Sequence, residues 1–572
     1  MPAWIPGSYL IRDFARNVLS IRAASENSTV ALEKVDKQTW AVGAASGVVE
    51  VHYEVYARDL SVRAAWLDRT RAYFNGTSLL LRVDGEEGLP CEIEMVTPEG
   101  GFADRWKVAT TLTPVQVDGR GFGRYQAASY WEAIDHPVEW AVHATARFDV
   151  DGVGHRIAVS GVAPGADLPR LASDLEAICA GHAQLFGELP VPDYLFLLHA
   201  TGDGYGGLEH CRSTSLLAPR SDLPIPGEKE VSDGYRRLLG LCSHEYFHLW
   251  HVKRIRPACF AGADLSTEVP TTLLWVFEGI TSYYDDLMLV RTTRITERSY
   301  LELLARNISR LLRTPGRWRQ SVADASFDAW IKLYKPDENS LNASVSYYLK
   351  GGLVAWGLDA TLRLATGDRQ TLDDLMRALW RRFGLTGEGM REDDVERLAA
   401  ELAGFELQRF FDSYVYGTDE LPFDSWCAAF GLGMRLRPAK DEKDEGGALA
   451  GAPGDAPPAR RWLGARTKTC AEGVALVNVF EDGPAQRAGL SAGDVVIAVD
   501  GLRASADVLA SIVNRCPAGG TLRVHVFRGD ELLVLDVEPA PAPDDTCDLW
   551  PLTDDQSSAE QRARRASWLD GR

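Results

Sequence analysis

Two histidines four residues apart, with a glutamate directly after the first, stand in the stretch Ser243-His244-Glu245-Tyr246-Phe247-His248-Leu249-Trp250. The apolar residues around them, Leu238, Leu239, Leu241, Leu249 and Trp250, make a run of helical rather than strand length. On a helix, positions four apart stand one above the other, so both imidazoles are offered to one point in space, which is half of a tetrahedral zinc site. Glu245 projects from the edge of the same face and reaches a water on such a metal without being a ligand, the place of a general base. The alternative for this spacing is a pair of packed or solvated helix histidines beside a surface glutamate.

The residues downstream bear on that choice. A metzincin needs a third histidine six positions after the second, but Arg254 stands there, and a guanidinium keeps its proton. His251, three residues on, could bind in principle. Three ligands from one helical turn would strain a tetrahedron, so it reads as a neighbour. Glu278 offers a better third ligand, inside a second helix-length run, Leu273 to Tyr284. Leu274 and Trp275 precede it by about one turn and place its carboxylate in packed surroundings, where an unpaired charge is costly and a metal would remove the cost. Pairing with a lysine or arginine is the other way to satisfy it.

The bulk properties bound what these residues are embedded in. At 572 residues the chain holds three or four domains, and its 45% apolar content is that of an ordinary globular protein. No apolar run approaches the roughly twenty residues of a membrane span. A formal charge of -20 argues against nucleic acid as a partner, since phosphate binding needs clustered lysine and arginine. The nine cysteines (Cys91, Cys179, Cys211, Cys242, Cys259, Cys427, Cys470, Cys516, Cys547) are odd in number and lack a C-x-x-C pair, which reads as free thiols. With turn residues directly after Met1 in place of a signal peptide, a cytoplasmic location is the expectation. The abrupt start leaves open that an upstream strand or targeting segment is missing.

Residues 1–165 alternate short β-rich runs, such as Val48 to Val55 and Arg156 to Val159, with Gly, Pro and Asp turns, the pattern of an antiparallel sheet domain. Residues 166–295, which hold the histidine pair, open with a helix from Leu168 through Ala180 and a strand over Tyr194–Leu198. Residues 296–438 are helical, with amphipathic stretches at Tyr300–Leu312, Leu372–Phe383 and Glu392–Leu402. Residues 439–459 turn charged and then Gly/Ala/Pro-rich and read as a linker. Residues 460–540 form a further domain, and the mixed-charge tail 541–572 reads as loosely ordered.

Several of these motifs together resemble the glycyl aminopeptidase family of zinc metallopeptidases. They are His244-Glu245-Tyr246-Phe247-His248-Leu249-Trp250 with Lys253 to Pro257, Leu274 to Tyr284, Trp4 to Tyr9 with Arg12 to Arg16, Gly206-Gly207-Leu208-Glu209-His210, and Tyr347-Tyr348-Leu349-Lys350-Gly351. The resemblance implies a multidomain α+β chain: an N-terminal β domain, a thermolysin-like zinc peptidase domain, a helical domain completing the active site, and a PDZ domain. One departure is His251, which stands where an asparagine is expected. Within the resemblance, Glu209 matches the glutamate of a Gly-x-Met-Glu-Asn motif that anchors the substrate α-ammonium, a task a carboxylate performs by charge-assisted hydrogen bonds. The neighbouring Gly206 and Gly207 would let backbone approach the peptide. Tyr348 matches the tyrosine of a Tyr-x-Lys-Gly pattern and would donate to the oxyanion, with Tyr347 the alternative.

The implied activity is removal of small N-terminal residues, glycine or alanine, from peptides with a free N-terminus. Zn2+ would be held by His244, His248 and Glu278, with Glu245 as base. The segments Trp462 to Ala465 and Gly483 to Gly501 are similar to a PDZ domain, which would take a peptide or protein C-terminus at Leu463, Gly464 and Ala465. Two rival readings are an endopeptidase with PDZ-assisted capture and a non-catalytic PDZ adaptor. Three metal ligands beside a base favour an enzyme over the adaptor, because structural zinc sites close with four protein ligands.

Overall fold

The computed structural model describes all residues except 26–27, 163–164, 455–459 and 572. The chain forms two compact units, one comprising Met1–Thr271, Tyr284–Ile295 and Met376–Glu392, the other Thr272–Tyr283, Thr296–Leu375 and Asp393–Arg572.

The first unit begins with small antiparallel sheets, among them a four-stranded sheet in the order 65–67, 71–74, 138–141, 107–109. Trp106, Phe122, Tyr125 and Met95 are buried together beneath them. A five-stranded sheet follows, built from β1 (Ala144–Val150), β2 (Val153–Ser160), β3 (Asp193–Thr201), β4 (Gly206–Glu209) and β5 (Ser213–Pro219) in the order β1-β2-β3-β5-β4. Strands β2, β3 and β5 run parallel, and β1 and β4 are antiparallel edges. Residues 144–160, grouped by sequence with the N-terminal domain, therefore belong to this sheet. Alternation along a strand records one buried face and not the sheet it joins.

Helix α1 (Leu168–Phe186) connects β2 to β3. Its Asp167 cap accepts from the Arg170 N–H, and it runs beyond Ala180 to Gly187, whose positive φ of 87° closes it. Helix α2 (Asp233–Phe247) is capped by Ser232, which accepts from the Tyr235 N–H.

A π-helical turn, Trp275–Ile280, belongs to the second unit and is followed in the chain by helix α3 (Thr281–Arg291), which from Tyr284 on belongs to the first. Helices α4 (Glu297–Leu312), α5 (Leu349–Thr366), α6 (Leu372–Leu379) and α7 (Asp394–Ala403) follow, with α4, α6 and α7 near the expected stretches. A six-stranded sheet carries β6 (Ala465–Thr469) at one edge, next to β7 (Val474–Val479), and helix α8 (Ala506–Arg515) belongs to the same fold.

The tail is ordered, against the expectation for 541–572. Strand β8 (Thr546–Pro551) is central in a three-stranded sheet between 432–437 and 447–448, and helix α9 (Ala559–Asp570) follows it. The Cys547 N–H donates to Ser309 Oγ at 2.8 Å, and the Arg437 guanidinium donates to Asp548 at 2.8 and 3.0 Å. Trp568 is fully buried, packs on Trp356 and Phe430, and donates from Nε1 to the Tyr283 hydroxyl at 2.9 Å. The segment's apolar anchors are few and widely spaced, so its composition reads as polar. Residues 440–448, assigned to a linker, are likewise folded in part: Asp444 accepts from the Lys440 N–H and Gly447–Ala448 pair with β8. The Pro-rich end of that segment lies outside the described residues.

Trp568→Ala should cost about 3–5 kcal/mol, read as a lower urea midpoint at unchanged slope. A cost under about 1 kcal/mol would make the tail a dispensable appendage. Removal of the PDZ fold should accordingly be made as an internal deletion that keeps β8 and α9.

Among the described residues no helix is long and apolar enough to cross a membrane.

Candidate active site

Helix α2 is held to the sheet of the first unit by hydrogen bonds as well as apolar packing. The Tyr246 hydroxyl bonds His155 Nε2 at 2.9 Å, and His155 Nδ1 donates to the Val153 carbonyl at 2.8 Å. Ser243 Oγ bonds His182 Nε2 at 2.9 Å, and burial pushes the His182 imidazole down to about 3, so it stays neutral. Phe247 stacks on Tyr284, and Trp250 on Phe186. These contacts fix the rotation of α2 about its axis and so the direction of its two histidines.

The histidine rings lie 4.7 Å apart, centroid to centroid, at 83°. His248 Nδ1 donates to the His251 carbonyl at 2.8 Å, and His244 Nδ1 bonds the Asp285 carboxylate at 3.0 Å. A carbonyl only accepts, so the proton of neutral His248 sits on Nδ1 and its Nε2 keeps the lone pair that a metal takes. A carboxylate beside His244 Nδ1 does the same for that ring. Glu278, 2% exposed, sits on the π-helical turn. One ligand atom from each of His244, His248 and Glu278 falls within 4.8 Å of the other two. Two neutral imidazoles and a carboxylate, oriented this way, are a donor set that fits a zinc ion.

The remaining predicted neighbours have other tasks. His251 contributes its backbone carbonyl to His248, as just described. That carbonyl is presented by a strained turn, in which Val252 adopts φ 109°, a region that β-branched residues avoid. Arg254 donates to the carbonyls of Leu249, Pro190 and Cys211, tying the end of the motif to the sheet loops. Asp285, missed in the sequence, stands seven residues after Glu278 on the same helical run. Two turns of separation from a candidate ligand was the signal that could have found it.

Strand β4 brings Glu209 and Glu245 onto common ground. A side chain at Gly207 would run into the buried Glu245 carboxylate and force it to shift, so glycine is what allows this close approach. Side chains of 207 and 209 share a face of the strand, about 7 Å apart along it. Glu209 is 4% exposed and its Oε1 has no hydrogen-bond partner. Gly7 packs directly on that carboxylate. The nearest lysine is already engaged, since Lys253 Nζ donates to Asp135 at 2.7 Å. Burial alone would lower the Lys253 ammonium, but Asp135 and, less strongly, Glu209 hold it above the ordinary lysine range. Among the described residues Glu209 is thus a buried carboxylate with an unpartnered Oε1.

In the second unit Tyr348 precedes α5, partly exposed, with its hydroxyl 3.0 Å from that of Tyr334, while Tyr347 is fully buried and stacks on it. At the PDZ fold the Leu463 and Gly464 carbonyls accept from the Ala485 and Phe480 N–H groups. Gly464 has φ +81° and no room for a side chain against Pro484. A cavity of about 620 Å³ runs past Leu463, Ala465 and Thr467 on one side and Leu509, Ala510 and Val513 on another.

Comparison with known proteins gives the same picture. Residues 237–354 match the M61 glycyl aminopeptidase model, 1–142 the Peptidase M61 N-terminal domain and 432–538 the PDZ domain. A solved aminopeptidase N family protein from Idiomarina loihiensis is 37% identical and covers 100% of this chain and 94% of its own, at a TM-score of 0.92. An M1 zinc metallopeptidase from Deinococcus radiodurans is 14% identical over 71% of this chain and 85% of its own, at a TM-score of 0.45. A probable periplasmic serine endoprotease, DegP-like, from Pseudomonas putida is 35% identical over 95 residues, 16% of this chain and 20% of that protein. The near-complete match to the Idiomarina protein, with one M61 model spanning the histidine motif and the other covering the N-terminal domain, establishes that this chain belongs to the M61 glycyl aminopeptidase family of metallopeptidases.

Proposed function

We propose that the protein is a zinc aminopeptidase that releases small N-terminal residues, glycine or alanine, from peptides. The observation that carries this reading is the arrangement around β4: the amine-seeking Glu209 and the base Glu245 meet the same face of one strand, two residues apart. That spacing suits a substrate whose free amine lies one residue from the bond to be cut. An endopeptidase has no use for a buried carboxylate at this place.

His244, His248 and Glu278 would hold the zinc, which when bound supplies Lewis acidity to water and to the scissile carbonyl. Glu245 takes the proton of the attacking water and returns it to the leaving amine. Tyr348 donates a hydrogen bond to the developing oxyanion. Glu209 fixes the α-ammonium, which selects N-terminal residues. Asp285 and the His251 carbonyl keep the imidazoles in the ligating tautomer. The preference for glycine accords with the family's description, and alanine is the next smallest residue that such a site would take. At the PDZ fold, the N–H groups near Gly464 and Ala465 would take a peptide carboxylate.

Zinc analysis joined to assay of glycyl and N-acetyl-glycyl chromogenic substrates tests the reading. Only the free amine should be cleaved efficiently. Glu209→Ala should raise KM for the free-amine substrate about ten- to a hundredfold, the worth of a charge-assisted bond, and leave the slow N-acetyl reaction where it was. Equal effects on both substrates would argue for an endopeptidase.

A further inference from the structure

We propose that Arg63 reads the free α-carboxylate of di- and tripeptide substrates, so that short peptides are the preferred substrate class. The inference rests on the aminopeptidase reading above and extends it to the other end of the substrate.

Strand β4 is the edge of its sheet, and its pairing fixes which of its backbone groups face outward. The His210 N–H donates to the Ser213 carbonyl at 2.9 Å. In an antiparallel ladder bonded pairs alternate, so Leu208 and Gly206 turn their N–H and C=O groups towards β5. Gly207 and Glu209 therefore turn theirs to the open edge, where a peptide would lie. A peptide anchored by its amine at Glu209 and running opposite to β4 passes Leu208 and then Gly207. At about 3.3 Å per residue, the level of Gly207 and Gly206 is two to three residues along the substrate.

Arg63 stands at that level. Its Nη2 donates to the Gly207 carbonyl at 3.1 Å, and its Nη1 would lie 3.5 Å from a side-chain carbon placed at Gly206. The side chain is set there by its neighbours: Val62 and Ala64 are buried with Ile5, Phe14 and Leu208, and the Val62 carbonyl accepts from the Tyr73 hydroxyl at 2.8 Å. Among the described residues Arg63 forms no ion pair, and its buried Nε has no acceptor. A half-buried guanidinium with spare donors and no carboxylate is a receptor for one, and its planar fork suits the geometry of that group.

The same bond limits longer chains. By bonding the Gly207 carbonyl, Arg63 competes for the acceptor that an extended polypeptide would use to continue its ladder along β4. A di- or tripeptide ends at this point in a carboxylate.

The test compares triglycine with triglycine amide as substrates of the full-length, zinc-loaded enzyme, following release of free glycine. The expected result is a kcat/KM about ten- to a hundredfold higher for the acid, expressed in KM. Arg63→Gln, which removes the charge and the fork, should erase that ratio, and Arg63→Lys should keep part of it. Equal kcat/KM for acid and amide in the wild-type enzyme would overturn the assignment alone. So would variants that lower both substrates equally, since they would make Arg63 a clamp on β4. Turnover of neither peptide by the wild-type enzyme would overturn the aminopeptidase reading and this assignment with it.

Discussion

Glu245→Gln should lower kcat on a glycyl chromogenic substrate by about a thousandfold or more, the scale of a lost general acid-base group, while zinc content and unfolding midpoint stay near those of the parent. Glutamine is the informative replacement because the side chain is buried and packs against the bare Cα of Gly207, so its shape must be kept. An amide fills the same volume but cannot accept and return a proton. Zinc content by atomic emission, set beside kcat, separates lost chemistry from lost metal. A variant within tenfold of the parent rate would end the general-base assignment.

Dialysis against a chelator should abolish activity, and zinc should restore it. Glu278→Gln should prevent the restoration at stoichiometric zinc, because the two imidazoles alone leave the site one ligand short. Asp285→Ala should have a milder effect, about ten- to a hundredfold in zinc affinity, because it orients His244 without touching the ion. The order of the two losses is the diagnostic result, read by competition with a zinc indicator. Full activity after exhaustive chelation would remove the metal from the mechanism. Normal zinc affinity in Glu278→Gln would remove this carboxylate from the ligand set.

Much of the donor chemistry was legible because it is local. The period of a helix is enough to put His244 and His248 on one line, and the burial implied by Leu274 and Trp275 marked Glu278 as a carboxylate in need of a partner. The Tyr347-Tyr348 pair was legible only as a pair: burial separates them, one enclosed and one reaching Tyr334. Asp285, the His251 carbonyl and Arg63 were not legible. Each acts through an atom whose direction depends on how several segments pack, and only Asp285, two turns after Glu278, sits in a spacing that hints at its place.

Domain limits failed for a similar reason. Strands 144–160 carry the same alternation whether they close the N-terminal sheets or open the catalytic one, and the tail's few apolar anchors are outnumbered by charged residues.

From sequence alone came the donor types, the helical phase of the histidine pair, the glycines that admit close backbone approach and the PDZ-like end, all encoded within a turn or two of chain. Only the tertiary structure decided that Asp285 and the His251 carbonyl orient the pair, that β4 is a sheet edge with Glu209 and Glu245 meeting one face, and that β8 and α9 are part of a core. These depend on long-range burial, in which many weak contacts between distant segments choose one arrangement, and no local pattern contains that sum.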